Sequence, residues 1–314
     1  MGRGAFGVSR RHYKADGTTC TTFGNHSVTR LFGKPHENDL PAAFRLLRTA
    51  LKFSALISTE LTGRWVNHLW FRAQRFPEPA REKEWLASAE CLTMTHRDRP
   101  LAVYRWGAGP TVLLVHGWHG RGAQLGAFAA PLVAAGYRVV AFDAPAHGRT
   151  PGHATDLPEV SAALLAVANS FPPLHGVIAH SFGAASTLAA IRHGLTPRRV
   201  VTVSAPANLE FLMDSFAARL GISAAVMAVH RRLVETRFGA DLWQRLSPTE
   251  IARGLKMPAL LLHDEDDHDV PCRESESLAR VWPNAALLRT QGLGHRRILR
   301  DPDVVARVVA FMIE

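Results

Sequence analysis

The ten residues GVIAHSFGAA, Gly176–Ala185, decide how this chain is read. Gly176-Val177-Ile178-Ala179 is an apolar run of strand length, and Phe182-Gly183-Ala184-Ala185 opens a stretch that suits a helix. Between them stands the polar pair His180-Ser181. A serine placed between a buried strand and a helix, with small neighbours, sits on a sharp strand–turn–helix bend that exposes its hydroxyl. The pattern G-x-S-x-G reads here as A-H-S-F-G, with Ala179 in place of the first glycine.

On either side of this bend the apolar runs alternate with helix-length segments. Strands are expected at Cys91–Thr95, Leu101–Trp106, Thr111–His116, Arg138–Phe142, Gly176–His180, Val200–Ser204, Ala259–His263 and Ala286–Thr290. Helices are expected at Gly122–Ala135, Leu157–Ser170, Phe182–Gly194, Glu274–Val281 and Asp303–Ile313. Continuous apolar strands separated by helices imply an α/β fold: a mostly parallel eight-stranded sheet, flanked by helices on both faces. The first two strands follow one another so closely that they form an antiparallel edge hairpin. Between Ala205 and Ala259 lie about 50 residues, where a simple connection takes 2–6. Phe211, Phe216, Leu220, Met227, Leu233 and Phe238 are spaced there for amphipathic helices, so residues 209–256 are expected to be a helical cap.

The domain reading follows: residues 1–38 a disordered extension, 39–88 an N-terminal helical segment, and 89–314 the sheet domain with its cap. Residues 1–38 are rich in Gly, Thr, Arg and His without period, and Asn25-His26-Ser27 fits a glycosylation pattern by chance. From there Asp39 is a plausible N-cap and Pro41 suits a first turn, with Phe44, Leu47, Leu51 and Ala55 at helical spacing. A second helix runs through Trp65, Leu69 and Trp70 until Pro77 and Pro79. The plain expectation is an amphipathic pair packed on the main domain; peripheral contact of 41–76 with a membrane is the alternative.

Composition narrows the class. The 314 residues are 47% hydrophobic and 20% charged, an ordinary globular balance that excludes collagen, coiled coil and a mostly disordered chain. Cys20, Cys91 and Cys272 cannot all pair and show no metal-knuckle or redox spacing, which fits a reducing compartment. The formal charge of +10 is spread along the chain as single arginines with no basic run, so no nucleic-acid partner is expected. The Ala42–Phe71 stretch is interrupted by Arg45, Arg48, Lys52, Glu60 and Arg64, and the N-terminus lacks an apolar signal core, so the expected location is cytoplasmic.

In open α/β sheets ligands sit beyond the carboxyl ends of the strands, and polar residues collect there. A nucleophilic serine needs a base to take its proton and an acid to orient that base. Both follow Ser181 in chain order. The Ala259–Leu262 run ends in His263-Asp264-Glu265-Asp266-Asp267-His268-Asp269-Val270-Pro271, and the last strand leads into Gly292-Leu293-Gly294-His295. His295 falls on a glycine-flexed loop that can reach the serine.

From about residue 90 onward the chain resembles the α/β-hydrolases of the esterase, lipase and peptidase type. Leu113–Trp118 (LLVHGW) resembles the family's His-Gly turn, and Phe142–Gly148 (FDAPAHG) its D-x-x-G-H-G segment, with Ala146 at a glycine position. His263–Pro271 resembles H-G-x-x-D-x-x-V-P, with Asp264 at the glycine position. The resemblance selects Asp267, three residues before Val270, as the acid, with Asp266 as runner-up and the other aspartates solvated or capping. It implies an acyl-enzyme mechanism on carboxylic esters or thioesters, with Ser181 as nucleophile and His295 as base. Backbone N–H groups of Phe182 and Trp118 would hold the oxyanion, while His116 is a structural hydrogen-bonder. His180, Phe211 and Phe216 are candidates for the substrate pocket. Rivals are an acyltransferase on the same triad and a catalytically silent binding or signalling protein on this fold. No cofactor and no metal are expected, because the many histidines lack metal spacing. Arg296 and Arg297 read as solvated arginines or, with Arg121, as a cationic rim.

Overall fold

The computed structural model describes residues 42–314, so the readings of residues 1–38, of Asp39 and of Pro41 lie outside the described residues. Residues Leu47–Glu314 form one compact unit, and everything below concerns it. Helix α1 (Ala42–Ile57) begins just before it.

The order after α1 is α2 (Thr59–Phe71), α3 (Ala80–Ala87), β1 (Glu90–His96), β2 (Arg99–Trp106) and β3 (Thr111–Val115). A 3-10 stretch at Gly122–Phe128 leads into α4 (Ala129–Ala134), β4 (Arg138–Phe142), α5 (Leu157–Ser170), β5 (Leu174–His180), α6 (Phe182–Arg192) and β6 (Arg199–Val203). Four helices follow, α7 (Leu209–Leu220), α8 (Ala224–Phe238), α9 (Leu242–Arg245) and α10 (Pro248–Ala252). The chain closes with β7 (Ala259–Asp264), α11 (Cys272–Val281), β8 (Ala285–Thr290), α12 (Gly294–Arg297) and α13 (Pro302–Ile313).

The strands form one eight-stranded sheet in the order β1-β2-β4-β3-β5-β6-β7-β8. β2 runs antiparallel to both neighbours, and the pairs from β4 to β8 are all parallel. Alternate residues of each inner strand feed opposite faces, which is why these strands carry no polar alternation. Leu113, Val115, Val177 and Ala179 join one core with Val160, Leu164 and Leu188 from α5 and α6. Val112, Leu114 and Ile178 join the other with Leu132 of α4 and Val308 of α13. The side chains of Asp156, Asn208 and Ser223 accept backbone N–H bonds at the starts of α5, α7 and α8, satisfying donors that a helix end leaves open.

The expected N-terminal helix pair packs on the inserted helices, not on the sheet. A methyl at Gly63 of α2 would stand 2.3 Å from Val229 Cγ1 of α8, so only glycine permits this approach. Trp70 meets Phe216 of α7 edge-on at 5.0 Å. Helix α3, which starts directly after Pro79, is fastened elsewhere: the buried Glu82 accepts from Arg121 Nε at 2.5 Å. Phe53, Leu56, Ile57 and Leu61 remain exposed on α1 and α2. Among the described residues no helix is long and apolar enough to cross a membrane.

Candidate active site

Ser181 closes the bend between β5 and α6 with φ 53° and ψ −122°, outside the conformations a non-glycine residue ordinarily adopts. The bend is over-determined by its surroundings. Ser181 N–H donates to Val203 O at 2.9 Å, and a Cβ on Gly183 would stand 2.4 Å from His116 O. The start of α6 can therefore press on the end of β3 only with glycine there. Ala179 is fully buried, so the methyl that replaces the motif's first glycine is accommodated.

Beside the serine lies the turn after β3. A Cβ on Gly117 would come within 3.0 Å of Ser181 Cβ. Trp118 and Phe182, the two residues named for the oxyanion, meet with ring centroids 4.9 Å apart and planes at 70°. Phe182 begins α6, where a backbone N–H has no acceptor within the helix. His116 braces the turn: its Nε2 accepts from Ala144 N–H at 3.0 Å, so its Nδ1–H donates to Gly117 O at 2.7 Å. Burial pushes its pKa down to about 4, keeping the ring neutral in this one tautomer. His147, stacked edge-on against Trp118 at 5.1 Å, is likewise driven to about 3 by burial.

The acid and the histidine arrive from β7 and β8. Asp267 Oδ2 accepts from His295 Nδ1 at 2.8 Å, while its Oδ1 accepts the N–H groups of Asp269 and Val270, both at 2.9 Å. Burial alone would raise the pKa of this carboxyl; hydrogen bonds from His263 and His295 outweigh it and hold Asp267 well below the usual carboxylate range. Asp266 is exposed and accepts from Gly292 N–H at 2.9 Å, so of the two aspartates only Asp267 bonds the His295 ring. The His295 ring lies against that of His180, centroids 4.5 Å apart, and His180 adjoins Ser181 in the chain.

The remaining named residues are placed as follows. His180 is 4% exposed and donates from Nε2 to the main-chain oxygen of His295 at 2.9 Å. Phe211 is buried near the start of α7, and Phe216 is half-buried between Trp70 and His230. Asp264, expected to be solvated or capping, is instead fully buried. Its carboxylate accepts from Leu293 N at 3.0 Å, Gly294 N at 2.8 Å and Thr290 Oγ1 at 2.7 Å. Its place as the last residue of β7, where the motif carries glycine, was the available signal.

The cationic rim is corrected. Arg121 is 5% exposed and is consumed by Glu82 and the carbonyls of Phe76 and Pro77. Arg297 turns back to donate to Leu293 O at 3.0 Å and Gly292 O at 2.7 Å. Only Arg296 of the three stays exposed without such a partner among the described residues. No cluster of three or more His, Cys, Asp or Glu side chains able to hold a metal occurs among the described residues.

Residues 112–308 match the model of the alpha/beta hydrolase family. The chain is 27% identical over 245 residues to a pimeloyl-[acyl-carrier protein] methyl ester esterase of Aromatoleum aromaticum, covering 64% of this chain and 96% of that protein. Similar solved structures include a putative lipase of Acinetobacter baumannii, with TM-score 0.57, 18% identity, and 74% and 93% of the two chains covered. An esterase of Pyrococcus furiosus gives TM-score 0.56 and 20% identity, with 77% and 98% covered. The thioesterase domain of the curacin biosynthetic pathway gives 0.52 and 20%, with 72% and 99% covered.

Proposed function

The chain belongs to the alpha/beta hydrolase family, and on that premise we propose that it is a serine hydrolase cleaving carboxylic esters or thioesters through an acyl-enzyme. The observation that carries this reading is the 2.8 Å bond between Asp267 and His295 Nδ1, on a ring that stacks beside the strained Ser181 bend. With Nδ1 tied to the carboxylate, the other ring nitrogen, Nε2, is the one left to take a proton.

In the proposed reaction Ser181 Oγ attacks the carbonyl carbon as its proton passes to His295 Nε2. Asp267, held ionised, stabilises the imidazolium that forms without itself taking the proton. The negative charge on the carbonyl oxygen meets the backbone N–H groups of Trp118 and Phe182, each such donor contributing about 3 kcal/mol. Collapse breaks the bond to the alcohol or thiol, which leaves with the proton from His295. Water then enters, gives its proton to His295 and attacks the acyl carbon, and the free acid departs as Ser181 regains its proton. Helices α7 to α10, inserted between β6 and β7, would form the cap, with Phe211 and Phe216 lining the acyl pocket. The esterase from Aromatoleum and the curacin thioesterase domain, as named, agree with an ester or thioester bond as the target.

The test is covalent labelling by a fluorophosphonate together with a chain-length series of p-nitrophenyl esters. Wild type is expected to be labelled and to hydrolyse part of the series, and Ser181→Ala to lose both while keeping its fold. Substantial activity in Ser181→Ala overturns the assignment. Adding an alcohol or amine acceptor tests hydrolysis against transfer, since transfer would raise the acylated acceptor at the expense of free acid.

A further inference from the structure

The loop that carries His295 is held by more than the Asp267 bond. From one side, the buried Asp264 carboxylate accepts the N–H groups of Leu293 and Gly294, immediately before the histidine. From the other, His180 Nε2 meets the main-chain oxygen of His295 itself at 2.9 Å. A carbonyl oxygen can only accept, so His180 must carry its hydrogen on Nε2. Its Nδ1 is then a bare lone pair, buried and without a partner among the described residues. That nitrogen faces the turn after β3, where a Cβ on Gly117 would stand 3.1 Å away. An unpartnered buried acceptor costs stability, yet it leaves only one useful bond for this ring to make, the one to His295.

We propose that His180 is a positioning residue, its Nε2–H fixing the main chain of His295 over Ser181, and that Asp264 fixes the opposite side of the same loop. The proposal rests on the serine-hydrolase reading for its consequence in catalysis, but not for the geometry. It replaces the expectation that His180 lines the substrate pocket, because a ring 4% exposed and packed between the serine bend and His295 presents little surface to a substrate. The imidazole of His295 must serve two proton transfers in succession. Displacing it by about 1 Å costs on the order of 10²-fold in rate.

The experiment compares His180→Gln, His180→Asn and His180→Phe in the full chain, with Asp264→Asn as a fourth variant. Glutamine can bring an amide N–H close to the position of Nε2, asparagine only to that of Nδ1, and phenylalanine offers none. Hydrolysis of a p-nitrophenyl ester is expected to keep kcat within about threefold in the Gln variant. The Asn and Phe variants, and Asp264→Asn, should lose roughly 10- to 100-fold in kcat at nearly constant KM, the span of a sub-ångström to ångström displacement. The downfield proton resonance of His295 Nδ1–H should persist in wild type and His180→Gln and broaden in His180→Phe. Wild-type kcat in His180→Phe, equal impairment of Gln and Phe, or a raised KM at constant kcat would each overturn the proposal. If Asp264→Asn does not fold, the His180 series still decides. Should wild type resist the fluorophosphonate, the hydrolase reading fails separately, and the His295 resonance still tests the positioning.

Discussion

The loops at the carboxyl end of the sheet and the helices that flank them are built on different principles. At the strand ends, side-chain hydrogen bonds do the fixing: Asp264, Asp267 and His116 each bridge two chain segments, and each is 5% exposed or less. In α1, α2, α7 and α8 aromatic and aliphatic contacts, as in Trp70 on Phe216 and Gly63 under Val229, stand beside exposed ion pairs such as Arg232–Glu60, and large apolar residues such as Ile57 stay exposed. Directional bonds set atoms to a fraction of an ångström, which chemistry on a carbonyl requires. Apolar packing tolerates exchange of similar volumes, as a surface that selects substrates by shape can. Substitutions in the first region should therefore act on kcat, and those in the second on selectivity or stability.

The largest expected effect lies in the first region. Asp267→Asn removes the charge that orients His295, and kcat should fall by about 10⁴-fold, with KM little changed. Asp266→Asn, which touches only the Gly292 N–H, should cost far less. Steady-state kinetics of the two variants checks this, and a reversed order would move the acid by one residue.

Arg121 ties a further element, α3, to the turn after β3. Its buried guanidinium binds Glu82 of α3 and two carbonyls ahead of it, so Arg121→Ala would leave the Glu82 carboxylate buried and unpaired. The expected loss is about 3–5 kcal/mol of stability, read as a lowered denaturation midpoint. Arg121→Ala with Glu82→Leu should recover much of it. A single variant as stable as wild type would mean that α3 is not tied to the turn after β3 by this pair.

The pH dependence of stability draws on both regions. His116 and His147 at the strand ends, and His230 in α8, are 3% exposed or less, and burial depresses their pKa values to about 4, 3 and 4. Between these values and the ordinary histidine value near 6.5, the unfolded chain binds protons that the folded chain refuses. Stability is therefore lost as pH falls from 6.5 toward 4, by up to about 1.4 kcal/mol per pH unit for each group. Asp267 acts lower down: its depressed pKa contributes stability above the ordinary carboxylate value, lost only as pH falls below it. Urea midpoints between pH 7 and 4 test this, and His116→Asn or His147→Asn should flatten the slope.

What was legible in the sequence follows the same division. All eight strands were readable: the inner parallel ones because a buried parallel strand is a continuous apolar run, and the antiparallel β1 and β2 because two short runs follow one another across a brief turn. The serine bend was readable because its geometry demands small residues at fixed places. The partners of His180 and Asp264 were not. Both bonds join residues that lie 115 and 30 positions apart in the chain, and no local pattern encodes a contact across the sheet edge. Arg121 was misread for a related reason: an arginine beside glycines looks solvated until α3, far earlier in the chain, delivers Glu82 to it. The helical segments were found as helices, but amphipathic spacing says which face is apolar and not what will cover it.

The smallest expected effect falls in that second region. Phe211 is buried at the start of α7 and Phe216 sits half-buried against Trp70, so shortening either should change the room available to an acyl chain more than the chemistry. With Phe211→Ala and Phe216→Ala, the ratio of kcat/KM between long and short p-nitrophenyl esters should shift by about tenfold, the lower range of what one methylene in an apolar pocket discriminates. Fluorophosphonate labelling at saturating probe should remain complete, because the strand-end hydrogen bonds are untouched. An unchanged ratio together with a lowered melting temperature would assign both rings to holding α7 against α2. Such a result would restrict selectivity to residues nearer the turn after β3, with Trp118 the first to substitute.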